Sequence, residues 1–281
     1  MEQKRLKTAI IGVGRWGTNV AHELAIQSDL VYFASKESDT AVPSAKRATV
    51  EEICADPSIE AVAIATPIAT HEELVRKVLE TGKHVLCEKP LAETSATAYE
   101  LSNLAKAKKT MLVTGYVYIY HPVYQELKKK LAGQQISRIE FVWKKYGTFQ
   151  EAIELNLLTH HLAIALDILG KPTNGVVTRR EAGETACDII DTKLSYPSCE
   201  VISHIDRVSK EKIHTMTIHT ANNVLVWEGT QYRDSSGVFE SRDMPLQLEV
   251  TAFLNAVSAG PVPPTAGDFG ARVLEIHEML H

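Results

Sequence analysis

The stretch that decides the fold is Lys7-Thr8-Ala9-Ile10-Ile11-Gly12-Val13-Gly14-Arg15-Trp16-Gly17. Its first half, Thr8 to Ile11, is an apolar, mostly β-branched run that stops at Gly12. Its second half carries three glycines spaced Gly-x-Gly-x-x-Gly. Asn19 to Gln27 follows, with Val20, Ala21, Leu24 and Ala25 on one helical face. Glycines between a strand and a helix have separate physical uses. Gly12 permits the tight turn, Gly14 lets backbone approach a pyrophosphate, and Gly17 lets the helix pack close on the strand. The helix N-terminus faces the negative charge of such a ligand, with Arg15 and Trp16 in the same loop. A glycine-rich turn without a ligand is the alternative, but three glycines at this spacing serve little else.

Outward from this loop, short apolar runs alternate with amphipathic stretches. Leu30 to Phe33, Ala61 to Ala65, Lys83 to Cys87 and Met111 to Thr114 read as strands. Glu72 to Glu80 and Ala98 to Ala107 read as helices, the first stopping at Thr81-Gly82. Strands separated by helices of this length predict βαβ units, hence an α/β Rossmann domain with a doubly wound parallel sheet over residues 1–119. The rhythm changes after Tyr120. Pro122 to Leu131 and Leu157 to Leu169 read as helices around a strand at Ile136 to Tyr146. Strand-like runs follow at Gly175–Arg180, Ile189–Tyr196, Glu200–Ile205, Ile213–His219 and Val224–Glu228. Helices near Gln247–Ser258 and Phe269–Leu280 close the chain around the turn Gly260 to Pro264. Residues 120–281 are therefore expected to form an α+β C-terminal domain with a large, mostly antiparallel sheet, one face on helices and the other partly open.

Composition narrows the partners. The 281 residues hold 30 Lys+Arg against 35 Asp+Glu, a formal net charge of -5, with 44% hydrophobic and 23% charged residues. Such a chain carries enough apolar surface to fold. It lacks the basic balance that phosphate contacts demand, so neither nucleic acid nor an anionic membrane surface is expected as partner. Its longest apolar runs, such as Val62 to Ala65, are too short to span a bilayer. The amino-terminal stretch is charged and then apolar, but it breaks at once into glycines and reads as mature protein. Cys54, Cys87, Cys187 and Cys199 show no Cys-x-x-Cys spacing, which suits reduced thiols in a cytoplasmic protein and no metal site.

The end of the second strand selects the dinucleotide. An NAD site normally places an acid about 20 residues beyond the glycines to bond the ribose 2′-hydroxyl. Here Ala34-Ser35-Lys36 comes first, and no acid appears until Glu37. A hydroxyl followed by an ammonium suits a 2′-phosphate, so NADP is favoured over NAD. Glu37 swinging in to hold NAD is the alternative.

The segment Thr66 to Leu91 carries Thr66-Pro67 with His71, then Gly82-Lys83-His84-Val85, then Glu88-Lys89-Pro90. These motifs resemble the glucose-fructose oxidoreductase / inositol dehydrogenase (Gfo/Idh/MocA) family. The Glu-Lys-Pro match is the most specific, and the likeness extends through Gly115-Tyr116, Pro122 and the closing Phe253 and Gly260-Pro261. The chemistry of Lys89 makes sense independently. An ammonium at a strand C-terminus in a doubly wound sheet can hydrogen-bond a substrate oxygen and favour alkoxide-like character as hydride leaves. Pro90 stiffens that turn, and Glu88 can hold backbone or cofactor groups. A surface lysine after a strand is the other reading.

The resemblance implies Thr66, Pro67 and His71 near the cofactor and a proton-exchanging His on the helix that ends at Leu169-Gly170, which counting back makes His160. Its usual carboxylate neighbours are Asn156 and Ala163 here, so its tautomer and basicity lack their ordinary support. His161, Tyr116 and Tyr118 are weaker substrate candidates, each also readable as a core residue. Lys144 and Lys145 could meet an anionic group or form a solvated strand edge. The expected protein is a two-domain NAD(P)-dependent oxidoreductase with a pocket between its domains. It would act on a small sugar-like molecule, with the open sheet face making a homo-oligomer, a dimer or tetramer. Two alternatives stay open: a dinucleotide-binding regulator that has lost turnover, and a reductase of a conjugated, non-sugar substrate such as an imine or tetrapyrrole.

Overall fold

The quoted stretch becomes strand β1 (Lys7–Ile11) and helix α1 (Gly17–Gln27) in the computed structural model, which describes residues 5–37, 41–147 and 149–281. Residues 1–4 of the amino-terminal stretch, and residues 38–40 beyond Glu37, lie outside the described residues. Next come β2 (Asp29–Ala34), β3 (Lys46–Arg47), α2 (Val50–Ala55), β4 (Ala61–Ile64), α3 (His71–Glu80), β5 (His84–Glu88), α4 (Ser95–Lys108) and β6 (Leu112–Gly115). Six strands pair in the order β3-β2-β1-β4-β5-β6, all parallel. A parallel sheet is covered on both faces, which is why Ala61, Val62, Ala63 and Ile64 of β4 are all buried. Short α2 and β3 went unread in the sequence. Yet α2 carries a complete capping box, with Thr49 accepting from the Glu52 N–H and the Glu52 carboxylate from the Thr49 N–H.

The rest of the chain supplies α5 (Pro122–Leu131), β7 (Ile136–Lys144), α6 (Thr159–Leu169), β8 (Asn174–Glu181), β9 (Ile189–Ser195), β10 (Glu200–Asp206), β11 (Ile213–Thr220), β12 (Val224–Glu228), β13 (Gln231–Asp234) and β14 (Gly237–Glu240). These eight strands order as β14-β13-β12-β11-β7-β10-β9-β8, antiparallel throughout except β7 beside β10. The α/β plus antiparallel reading of the sequence is the fold observed. One face is core: Val201, Ser203 and Ile205 of β10 are buried, and Glu200, Ile202, His204 and Asp206 alternate with them on the other. That open face is laced with ion pairs, among them Arg138–Glu200 (3.6 Å), Arg179–Glu181 (2.7 Å) and Lys193–Glu200 (2.5 Å). Lys144 belongs there too, 3.1 Å from Glu211, and Tyr146 is exposed.

The closing helices, α7 (Pro245–Val257) and α8 (Phe269–Met279), alter the domain division. The chain forms two compact units: residues 1–117 with 245–271, and residues 118–244 with 272–281. This departs from contiguous domains meeting at 119/120, because α7 returns to the first unit. Leu246, Val250, Phe253 and Leu254 join one apolar cluster with Ile10, Val13, Val20 and Leu24. An amphipathic stripe states that a helix has a buried face, not which sheet it covers. No helix among the described residues is long and apolar enough to cross a membrane.

Candidate active site

The three glycines of the loop sit in different steric surroundings. Gly12 has φ +92°, and a Cβ there would lie 2.6 Å from the Ala65 carbonyl oxygen. A Cβ on Gly17 would lie 2.0 Å from the Gly12 carbonyl oxygen, so only glycine lets α1 start this close to the loop. Nothing lies within 4 Å of a Cβ built on Gly14, whose backbone is open. No side chain caps the N-terminus of α1, and Arg15 is exposed beside it. An open Gly14 backbone at the start of an eleven-residue helix that has no side-chain cap fits a dinucleotide pyrophosphate.

At the end of β2, Ser35 is half-buried, and Lys36 and Glu37 are exposed. The sequence reading missed Arg47 here. It sits on β3, paired in register with Phe33, and its guanidinium donates to the Ser35 (2.9 Å) and Glu37 (2.8 Å) carbonyls. It also lies 5.1 Å from the Phe33 ring centroid. Register between neighbouring strands joins residues 35 and 47, which spacing cannot reveal.

The Thr66 and Glu88 segments are tied together by His71. Its ring, 1% exposed, places Nε2 2.8 Å from the Thr66 carbonyl and Nδ1 2.8 Å from the Pro90 carbonyl. His71 therefore clamps the turn after β4 to the turn after β5, and its ring nitrogens are occupied by the protein. Thr66 is half-buried and Pro67 exposed, with the Thr70 hydroxyl donating to the Pro67 carbonyl at 2.8 Å. Glu88 and Lys89 are half-buried at the C-terminal end of β5, and Pro90 follows through a cis peptide bond. The Trp16 indole N–H donates to Glu88 Oε1, and the Lys89 backbone N–H donates to Oε2 at 3.3 Å. Glycine loop and Glu-Lys-Pro turn are thus bonded to each other, a link between motifs 72 residues apart.

Tyr116 is 1% exposed and packs edge-on to Phe269 at 5.8 Å, so it is a core residue of the first unit. Its position after β6 turns its ring inward, and burial pushes its phenol up.

In the second unit a π-helical turn, Glu154–Leu158, runs into α6, which delivers His160 and His161 onto the covered face of the sheet. His160 is 8% exposed, 5.0 Å from the Tyr118 ring and 5.7 Å from Trp143. Tyr118 also meets His214 (5.0 Å) and Trp227 (6.1 Å), and His121 meets Trp227 at 5.0 Å. His161 stacks on Phe141 at 4.5 Å and 13°, fully buried. Trp143, His214 and Trp227 escaped the sequence reading because they come from separate strands, and only pairing of β7, β11 and β12 gathers them. Burial pushes Tyr118 up to about 12 and His121 down to about 4. Burial and then His121 hold His214 at about 4, and burial and then His214 hold His161 well below its usual range.

These histidines carry a pH signature. Their folded values lie below the ordinary 6.5, so the unfolded chain binds more protons as pH falls from 6.5 towards 4. The stability they contribute is complete above 6.5 and drains through that window, by up to about 1.4 kcal/mol per histidine per pH unit. Urea midpoints measured from pH 7.5 to 4.5 should fall, and His214→Phe should flatten the fall. A profile unchanged in that variant would remove His214 from the effect.

A doubly wound sheet with this glycine loop, helix terminus and strand-end lysine defines a dinucleotide-binding Rossmann protein. Residues 6–116 match the Gfo/Idh/MocA family model, described as an oxidoreductase family with an NAD-binding Rossmann fold. Over 98 residues it is 34% identical to trans-1,2-dihydrobenzene-1,2-diol dehydrogenase of Xenopus laevis, covering 35% of this chain and 30% of that one. Two solved structures share the fold across nearly the whole chain. UDP-N-acetylglucosamine 3-dehydrogenase from Acidithiobacillus ferrooxidans has a TM-score of 0.88, 22% identity and coverage of 99% and 98% of the two chains. Biliverdin reductase from Synechocystis sp. PCC 6803, in complex with biliverdin and NADP+, has a TM-score of 0.83, 18% identity and coverage of 98% and 99%.

Proposed function

We propose that this protein is an NAD(P)-dependent oxidoreductase acting on a hydroxyl or carbonyl carbon of a sugar or sugar derivative, with NADP favoured. The observation that carries this reading is Lys89, held at the C-terminal end of β5 by Pro90, whose carbonyl is fixed by His71. Bound nicotinamide supplies or accepts the hydride. Lys89 donates a hydrogen bond to the substrate oxygen, and its charge stabilises that oxygen as negative charge develops. His160, in the second unit, is the proton-exchanging residue of this reading. Gly12, Gly14, Arg15, Trp16 and Gly17 with the α1 terminus hold the pyrophosphate. Ser35, Lys36 and the exposed Arg47 face the adenosine ribose, where three donors favour a 2′-phosphate. The open, ion-paired face of the second sheet is the surface offered to another copy of the chain.

One observation favours a second substrate class. The ring contacts of His160 are aromatic, Tyr118 and Trp143, and the positions where acids are expected hold Asn156 and Ala163. Such a wall stacks against a flat, conjugated molecule as well as against a sugar ring. The names of relatives span both, from a nucleotide sugar to a dihydrodiol and biliverdin.

Nicotinamide absorbance, followed with NADPH or NADH against nucleotide sugars, keto sugars and conjugated cyclic ketones or imines, tests these readings together. Turnover is expected, better with NADPH, and Arg47→Ala should reduce that preference about tenfold. With a sugar substrate His160→Asn should lose most turnover; retention on a conjugated substrate would transfer the assignment to that class. Turnover with NADH alone would overturn the NADP assignment. Binding of both dinucleotides with no turnover on any substrate would favour a sensor.

A further inference from the structure

Glu249 is the only ionisable side chain on α7, and it points into the core of the first unit at 0% exposure. Its neighbours Leu246, Val250 and Phe253 pack with Val13 of the glycine loop and Val113 of β6. Neither of its carboxyl oxygens has a hydrogen-bond partner among the described residues. A buried acid in that state demands an explanation, since an orphaned carboxylate costs far more than a partnered one. The acid whose charge reaches Glu249 is Glu88, whose side chain fills a space that Gly115 leaves for it: a Cβ on Gly115 would come within 3.1 Å of Glu88 Oε1. Glu88 and Gly115 are register partners across β5 and β6, so this cradle is built into the sheet.

We infer that Glu249 and Glu88 form a proton-sharing pair in which Glu249 carries the proton, through an ordered water that both carboxyls hold, and thereby keeps Glu88 an anion against Lys89 and Trp16. The charges agree with the arrangement. Burial first, then Glu88, hold the Glu249 carboxyl well above the usual range. Burial also raises Glu88, but the Trp16 indole and the Lys89 charge oppose it, so the anion settles there. The remaining titratable neighbour is the Cys87 thiol, pushed well up by burial and Glu88 and therefore neutral. Glu249 is accordingly a positioning residue. It acts on Lys89 through Glu88, and this role rests on the proposed function of Lys89.

Infrared spectra and pH profiles separate the possibilities. At pH 7 the protein should show a protonated-carboxyl C=O stretch that Glu249→Gln abolishes. In Glu88→Gln that band should disappear at lower pH than in the wild type, because Glu88 no longer holds the proton on Glu249. In turnover, Glu249→Leu removes the donor to Glu88, so the acid limb of kcat/KM should move up by about one to two pH units. Glu249→Gln, which keeps a donor, should restore most of that displacement, whereas a packing role would leave the limb in place in both variants. The pair is overturned if the wild type lacks a band that Glu249→Gln removes, or if that band titrates identically in Glu88→Gln. The spectra need no turnover. A band that behaves as described in a protein without activity would fault the proposed function and leave the pair standing; activity without the band would do the reverse.

Discussion

Lys89→Met is expected to lower the catalytic rate constant by about 10²- to 10³-fold, the usual cost of one charge-stabilising donor, while the dinucleotide should still bind. The reason is geometric. Lys89 follows Glu88 at the end of β5, where ligands of doubly wound sheets bind. The turn that carries it is fixed twice, by the Lys89 N–H bond to Glu88 Oε2 at 3.3 Å and by the His71 bridge from Pro90 to Thr66. Methionine keeps the length and apolar stem of lysine and removes only the ammonium, so folding should be nearly unchanged. Stopped-flow hydride transfer and fluorescence titration with NADPH measure the two quantities separately. Full activity would remove Lys89 from the mechanism. Loss of dinucleotide binding in step with rate would make it a cofactor ligand instead.

The second large effect concerns the glycine loop, where two substitutions of the same size should part company. Gly17→Ala sets a methyl 2.0 Å from the Gly12 carbonyl oxygen, a distance no real contact tolerates, so α1 must move off the loop. Overpacking of that kind costs about 1–3 kcal/mol or more, equivalent to about a 10- to 100-fold loss of the binding-competent loop. Thermal stability and NADPH affinity should fall together. Gly14→Ala meets nothing within 4 Å, so its melting temperature should stay near wild type and only dinucleotide affinity should fall. Calorimetry on the two variants, with and without NADPH, checks this. Equal affinity loss without a stability difference would contradict the roles assigned to the two glycines.

Much of this is legible in the sequence. Period-two and helical apolar patterns placed β1, α1, β4, α3, β5 and α5 within a residue or two of where they lie, because each must bury one face or both. Glycine spacing reported the loop, since backbone sterics act locally and leave a local mark. Tyr116 shows the limit. Its neighbours in sequence suited a crevice as well as a core, and only its packing on Phe269 decides for the core.

What the chain alone determined is its local chemistry: a βα glycine turn, a strand-end Glu-Lys-Pro, and a tandem His160-His161 at the start of a helix. Tertiary structure decided which distant residues share an environment. It brought α7 and Glu249 back to the first sheet, laid Arg47 beside Ser35, bonded Trp16 to Glu88, and gathered His160, His214, Trp143 and Trp227 from separate elements around Tyr118. The reason is physical. Conformational preference and side-chain periodicity act over a few residues and can be read in order along the chain. Desolvation and the pairing of buried charges depend on who lies across the gap, and strand register and helix docking set that.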